Sequence, residues 1–139
     1  MHINDDVYFD SLKNDYSFGR DKRITTKNNF KNTFSENNKF IGKFVVIWVH
    51  KQNVGVTKLG IISSKKMHNK ANKRNFSKRR IREIFRRLRP YMETNFNVVI
   101  VTRKSLLKSS WNEVKKELID LLYKSNVITV KNYKELLNA

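Results

Sequence analysis

Residues 65–89 carry two patterns at once: an apolar stripe at helical spacing, Ile81, Ile84, Phe85 and Leu88, set in a stretch where Lys and Arg fill about half of the positions. The i, i+3, i+4, i+7 recurrence predicts a helix near residues 74–89 with one side in a core, and Pro90 ends it. At about 100° per residue, Asn75, Lys78, Arg79, Arg82, Arg86 and Arg89 fall on one sector beside that stripe. One helix thus offers a core face and a cationic face. Arginine suits the second role because its planar fork can hold two phosphate oxygens, whereas lysine is a mobile point charge. The competing reading is a basic amphipathic helix on a membrane or an acidic protein. Apolar strands on both sides weigh against it.

Those strands are short, turn-bounded runs rich in β-branched residues. Phe44-Val45-Val46-Ile47-Trp48-Val49 and Leu59-Gly60-Ile61-Ile62 read as antiparallel partners across the polar stretch 50–57, and Val98-Val99-Ile100-Val101 follows the basic helix. Thr26 can cap a helix over residues 27–35, where Phe30 and Phe34 share a face. Ser110 and Glu113 form a capping box that opens a helix to about residue 124, burying Trp111, Val114, Leu118, Leu121 and Leu122. The expected fold is α+β: a single-domain sandwich of order α-β-β-(β)-α-β-α, a mixed central sheet packed by helices, with segment 59–101 as a β-α-β unit. A length of 139 residues fits one domain. Its expected limits are residues 23–125, after an N-terminal extension over 1–22 and before a C-terminal tail over 126–139 in which Tyr133, Leu136 and Leu137 can form one weak turn.

Charge narrows the partner. Lys and Arg number 30 against 12 Asp and Glu, a formal +18, and Asp5, Asp6, Asp10 and Asp15 all lie near the N-terminus. From residue 21 onward 28 basic residues face 8 acidic ones, a surplus of 20. Such a field repels itself unless a polyanion neutralises it, and each phosphate contacted releases a counterion. Nucleic acid is the expected partner. With no cysteine, disulfides, thiolate catalysis and Cys-ligated zinc are excluded. His2, His50 and His68 are dispersed, the four glycines are isolated, and no Gly-x-Ser-x-Gly elbow occurs. A self-sufficient enzyme is disfavoured, as is a protein-only nuclease, because the core strands carry no paired acids. No apolar run reaches the roughly 20 residues needed to cross a bilayer, and the start lacks the pattern of a signal peptide. A cytoplasmic location is the expectation, with no obligate protein partner evident.

At this point the residues resemble a family. Leu59-Gly60-Ile61, Ser63-Ser64-Lys65-Lys66, Ala71, Arg74-Asn75, Lys78-Arg79, Arg82-Glu83 and Phe85-Arg86 together resemble the signature of the bacterial ribonuclease P protein. Arg23-Ile24 ahead of Phe30 and Phe34, the run 44–49, and Val98 to Lys104 extend the similarity over roughly residues 20–125. The resemblance implies a left-handed β-α-β crossover, against the usual preference. It also implies a protein subunit of ribonuclease P with no catalytic side chain, inactive alone. Mg²⁺ held mainly by the RNA subunit would then cleave the 5′ leader from precursor tRNA.

By that resemblance Arg74, Asn75, Lys78, Arg79, Arg82 and Arg86, joined by Lys65 and Lys66, bind the catalytic RNA. Phe30, Phe34, Phe44 and Val45 bind the leader, where aromatic faces stack on bases of any identity. Ordinary core packing is the other reading of Phe30 and Phe34. Two departures from the family pattern are Phe76, where a second arginine is usual, and Ile47, where many members carry an aromatic. A ribosomal protein or RNA chaperone would share the charge and the sheet but not the ordered Arg-Asn, Lys-Arg and Arg-Glu spacing.

Overall fold

Alternation along one strand divides the molecule. In β2 (Val45–Lys51) the residues Val45, Ile47 and Val49 are buried while Val46, Trp48 and His50 between them are half-buried, because successive side chains point to opposite faces of a sheet. The computed structural model describes residues 20–138, and within them β2 joins β1 (Lys39–Ile41), β3 (Lys58–Ile62) and β4 (Phe96–Thr102) in a four-stranded sheet of order β1-β2-β4-β3. β4 pairs antiparallel with β2, from Val45↔Thr102 to Lys51↔Phe96, and parallel with β3, from Lys58↔Asn97 to Ile62↔Val101.

β2 and β3 were expected to pair with each other, and here the structure differs. They run in opposite directions, but β4 lies between them. The physical reason is burial: β4 is the strand whose consecutive residues Phe96 to Ile100 are all buried, so it belongs where both faces are covered. The bracketed third strand of the expected order is β1, whose three residues are too few to show a pattern of their own.

The odd-numbered residues of β2 meet Leu59 of β3 and Val98 and Ile100 of β4 on one face. There they pack on Ile81, Ile84, Phe85 and Leu88 of α2 (Ala71–Leu88) and on Val114, Leu118, Leu121 and Leu122 of α3 (Trp111–Lys124). The other face receives α1 (Lys27–Ser35), capped by Thr26 Oγ1 accepting from the Asn29 N–H as the sequence predicts. Phe34 of α1 meets Trp48 edge-on at 5.0 Å between ring centroids. The predicted mixed sheet between helices is therefore present, and residues 59–101 form the β-α-β unit.

α2 begins three residues before its predicted start. No side chain caps it at Lys70. Instead the Arg74 guanidinium reaches back, donating to the carbonyls of His68 at 3.0 Å and Asn69 at 2.7 Å, a restraint with no signature in the sequence. α3 starts where its capping box places it, the Ser110 N–H donating to the Glu113 carboxylate at 3.0 Å. That bond holds the Glu113 carboxyl below its ordinary pKa. Farther along α3, Glu117 accepts from the Phe44 N–H at 2.8 Å and the Val45 N–H at 3.1 Å, fastening the entry of β2 to the helix.

Of residues 126–139, expected to be a tail, the described residues 126–138 continue the domain. Asn126 takes a left-handed conformation, φ 69°, that a short polar side chain tolerates, and the Val127 N–H closes on the Leu122 carbonyl at 2.9 Å. This turn sends Val127 and Ile128 into the core. A helix α4 (Val130–Leu137) then packs on α3, with Tyr133 stacked on Tyr123 at 4.1 Å and donating to Asp120 at 2.9 Å. The same hydrogen bond raises the Tyr133 pKa. The predicted N-terminal extension lies outside the described residues except for Arg20–Lys22, which form a 3-10 turn. The Ile24 N–H then bonds the Leu59 carbonyl at 2.9 Å, so Arg23 and Ile24 edge the sheet beside β3.

Candidate RNA-binding surface

α2 places its polar side chains in two groups. Asn75, Lys78, Arg79 and Arg82, together with Asn72, line an open groove of about 430 Å³. Among the described residues none of these four makes a side-chain hydrogen bond or ion pair. Four neighbouring polar groups held on one helix and left unengaged form a surface for an anion lattice rather than an internal network. Lys65 and Lys66 are exposed in the turn that leads from β3 toward α2, at the same end of the helix.

The remaining predicted cations are partly committed to the fold. Arg74 holds the helix entry, as described. Arg86 bridges Glu83 at 2.6 Å, with Arg87 adding a second contact at 3.2 Å. The Arg86 hydrogen bond leads in holding the Glu83 carboxyl below its ordinary pKa. Arg89 donates to the Thr57 carbonyl at 2.7 Å. Of the predicted sector, Asn75, Lys78, Arg79 and Arg82 line one groove with unengaged side chains, while Arg86 and Arg89 are tied to the fold.

A second, smaller space of about 160 Å³ adjoins the first across the β3 edge, lined by Arg23, Ile24, Phe30, Leu59, Gly60, Ile61, Lys78 and Arg82. Lys78 and Arg82 wall both spaces. Phe30 reaches this position because Gly60 has no side chain: a Cβ there would lie 2.5 Å from the ring. Phe30 and Phe34 are each half-buried, so they pack on the sheet and still present part of a ring.

Phe44 and Val45 need correction. Val45 is fully buried and Phe44 is 7% exposed, both within the cluster on the α2 and α3 face. Neither can meet a ligand beside α1. The α1 face instead carries Val46 and Trp48 from β2 with Ile62 and Val101 from its neighbours, all half-buried. For Val45 the alternation of β2 held the needed signal, since it shares the face of Ile47 and Val49; Phe44 precedes the strand and turns into the same cluster. Of the two departures, Ile47 is a core residue, and Trp48 is the aromatic that β2 gives to the α1 side. Phe76 lies under the Arg80 guanidinium at 4.8 Å. Arg23 was missed as a site residue; its position in the groove depends on the bridge to Leu59.

No three of His, Asp and Glu converge into a metal-holding group among the described residues. In the same residues no helix is long and apolar enough to cross a membrane. The model of the family described as Ribonuclease P matches residues 18–126. This chain belongs to that family. The ribonuclease P protein component of Thermotoga maritima is 32% identical over 111 residues, covering 76% of this chain and 93% of the relative. That of a Picosynechococcus species is 32% identical over 108 residues, 78% and 93% of the two chains. The solved RNase P protein of Thermotoga maritima superposes with a TM-score of 0.66 at 29% identity, over 73% of this chain and 96% of that one. The Staphylococcus aureus RNase P protein, at 21% identity and a TM-score of 0.69 over 78% and 98%, shares the fold.

Proposed function

We propose that this chain works in tRNA 5′ maturation as the protein subunit of ribonuclease P, gripping the catalytic RNA with α2 and the 5′ leader of precursor tRNA with the α1 side of the sheet. The observation that carries this reading is the continuity of the two spaces through Lys78 and Arg82. A folded RNA seated on Asn75, Lys78, Arg79 and Arg82 would lie next to a strand threaded past Phe30. The unengaged cations favour phosphates by counterion release, about one salt-slope unit per phosphate. Partly exposed Phe30, Phe34 and Trp48 favour stacking on unpaired bases irrespective of sequence, which suits leaders that differ between precursors.

Within this proposal Mg²⁺ sits on the RNA subunit and supplies the hydrolytic chemistry. The chain's own residues position substrate and screen phosphate repulsion, which matters most when the metal is scarce. The purified chain alone is expected not to cleave precursor tRNA, and to raise cleavage by its catalytic RNA at low Mg²⁺. Robust cleavage by metal-loaded protein without RNA would overturn the assignment.

A further inference from the structure

α2 has another exposed flank that the cationic groove does not use. Phe76, Arg80 and Arg87 project from the side of the helix roughly opposite Lys78 and Arg82, separated from them by well over 90° of helical rotation. Arg80 lies over Phe76 at 4.8 Å and donates to the Ser109 carbonyl at 2.7 Å. Arg87 lies over the Trp111 ring at 5.2 Å. Two guanidiniums are thus each backed by an aromatic from the same surface, with Lys73 one turn before Phe76 and Lys108 beside Ser109, both exposed.

Resting on the function proposed above, we propose that this flank is a second RNA contact, which binds an unpaired segment by stacking on Phe76 and Trp111 and by phosphate contacts to Arg80, Arg87, Lys73 and Lys108. Charge supports it. Removing the seven cations assigned to the first surface (Lys65, Lys66, Arg74, Lys78, Arg79, Arg82, Arg86) from the 28 beyond residue 20 leaves 21 against 8 acids, a surplus of 13. A polyanion on one side of α2 would leave the cations of the opposite flank without a direct counter-charge, since its own field fades beyond about 10 Å at ordinary salt. Preorganisation supports it too: Arg80 is held by a carbonyl and a ring, so ordering it on a ligand costs little side-chain freedom. Partly exposed rings beside arginines suit single-stranded nucleic acid more than an acidic helix, which would need only the charges.

The test compares two double variants of the full chain by salt-dependent binding. Lys73→Gln with Arg87→Gln removes two exposed cations of the flank; Arg79→Gln with Arg82→Gln removes two from the groove. The expected result is that each pair lowers the slope of log affinity against log salt by about one to two units. Phe76→Ala, with unchanged thermal unfolding, is expected to weaken binding about fivefold or more. Titrations against the catalytic RNA alone and against precursor tRNA alone identify which RNA supplies the segment. An unaltered slope and unaltered Phe76→Ala affinity with both RNAs, while the groove pair still responds, would sink the second contact and leave the proposed function standing. Failure of the groove pair as well would sink both.

Discussion

The two faces of the sheet use the same strands for opposite purposes. On one, Val45, Ile47, Val49, Leu59, Val98 and Ile100 are at most 2% exposed beneath α2 and α3. On the other, α1 and Ile24 cover the strands, and although Val99 is buried, Val46, Trp48, Ile62 and Val101 stay half-buried. Cohesion is concentrated on the face that α2 and α3 close, which leaves the second face free to keep apolar and aromatic surface accessible. A binding cleft can then vary without dissolving the core.

Substitutions on neighbouring β2 residues test this division most strongly. Ile47→Ala should cost about 2–5 kcal/mol of stability, whereas Val46→Ala should cost about 1 kcal/mol or less; chemical denaturation that gave equal losses would erase the distinction between the faces. Trp48→Ala should weaken precursor tRNA binding by about 1–3 kcal/mol while sparing mature tRNA, and equal weakening of both would return Trp48 to a packing role. Gly60→Ala drives a methyl into the Phe30 ring. Overpacking of this kind should cost about 1–3 kcal/mol and impair leader discrimination together with stability, so a variant that is neutral in both assays would mean that α1 shifts freely.

The smallest effect is electrostatic. Hydrogen bonding to Arg86 lowers the Glu83 pKa from its ordinary 4.5. A depressed folded-state value stabilises the fold above the ordinary pKa, and that contribution disappears as pH falls through the lowered one. Glu83 is close to the surface, so its share is slight. Carboxyl NMR titration should give a midpoint below 4.5 in the native chain and a rise towards 4.5 in Arg86→Gln.

How far the sequence could be read follows the same physics. Helical periods and caps are local, so Ile81 to Leu88, Thr26 and the Ser110–Glu113 box were legible. Strand adjacency is not local: whether Ile61 lies beside Ile47 or Ile100 depends on which strand is buried on both faces. The cationic sector was readable from rotation angles alone, but its division into free and engaged halves rests on reaches such as Arg89 to Thr57, across the fold. Phe44 and Val45 went astray through resemblance taken position by position: strand parity places Val45 with the core face, while Phe44 lies ahead of β2, where no alternation marks its direction. The C-terminal helix was legible only as one weak turn because its packed apolar side is only Tyr133 and Leu136, too sparse to mark a period.

The central place of β4 also governs how the chain comes together. Neither β2 nor β3 has its main partner until residues 96–102 are available, so a ribosome must deliver more than two thirds of the polypeptide before the sheet can close. Until then, Val45 to Val49 remain without their principal neighbour. Pairings so distant along the chain form slowly, and unfinished strands are prone to self-association. Synthesis of this molecule therefore carries a vulnerable interval that ends when its fourth strand slots in.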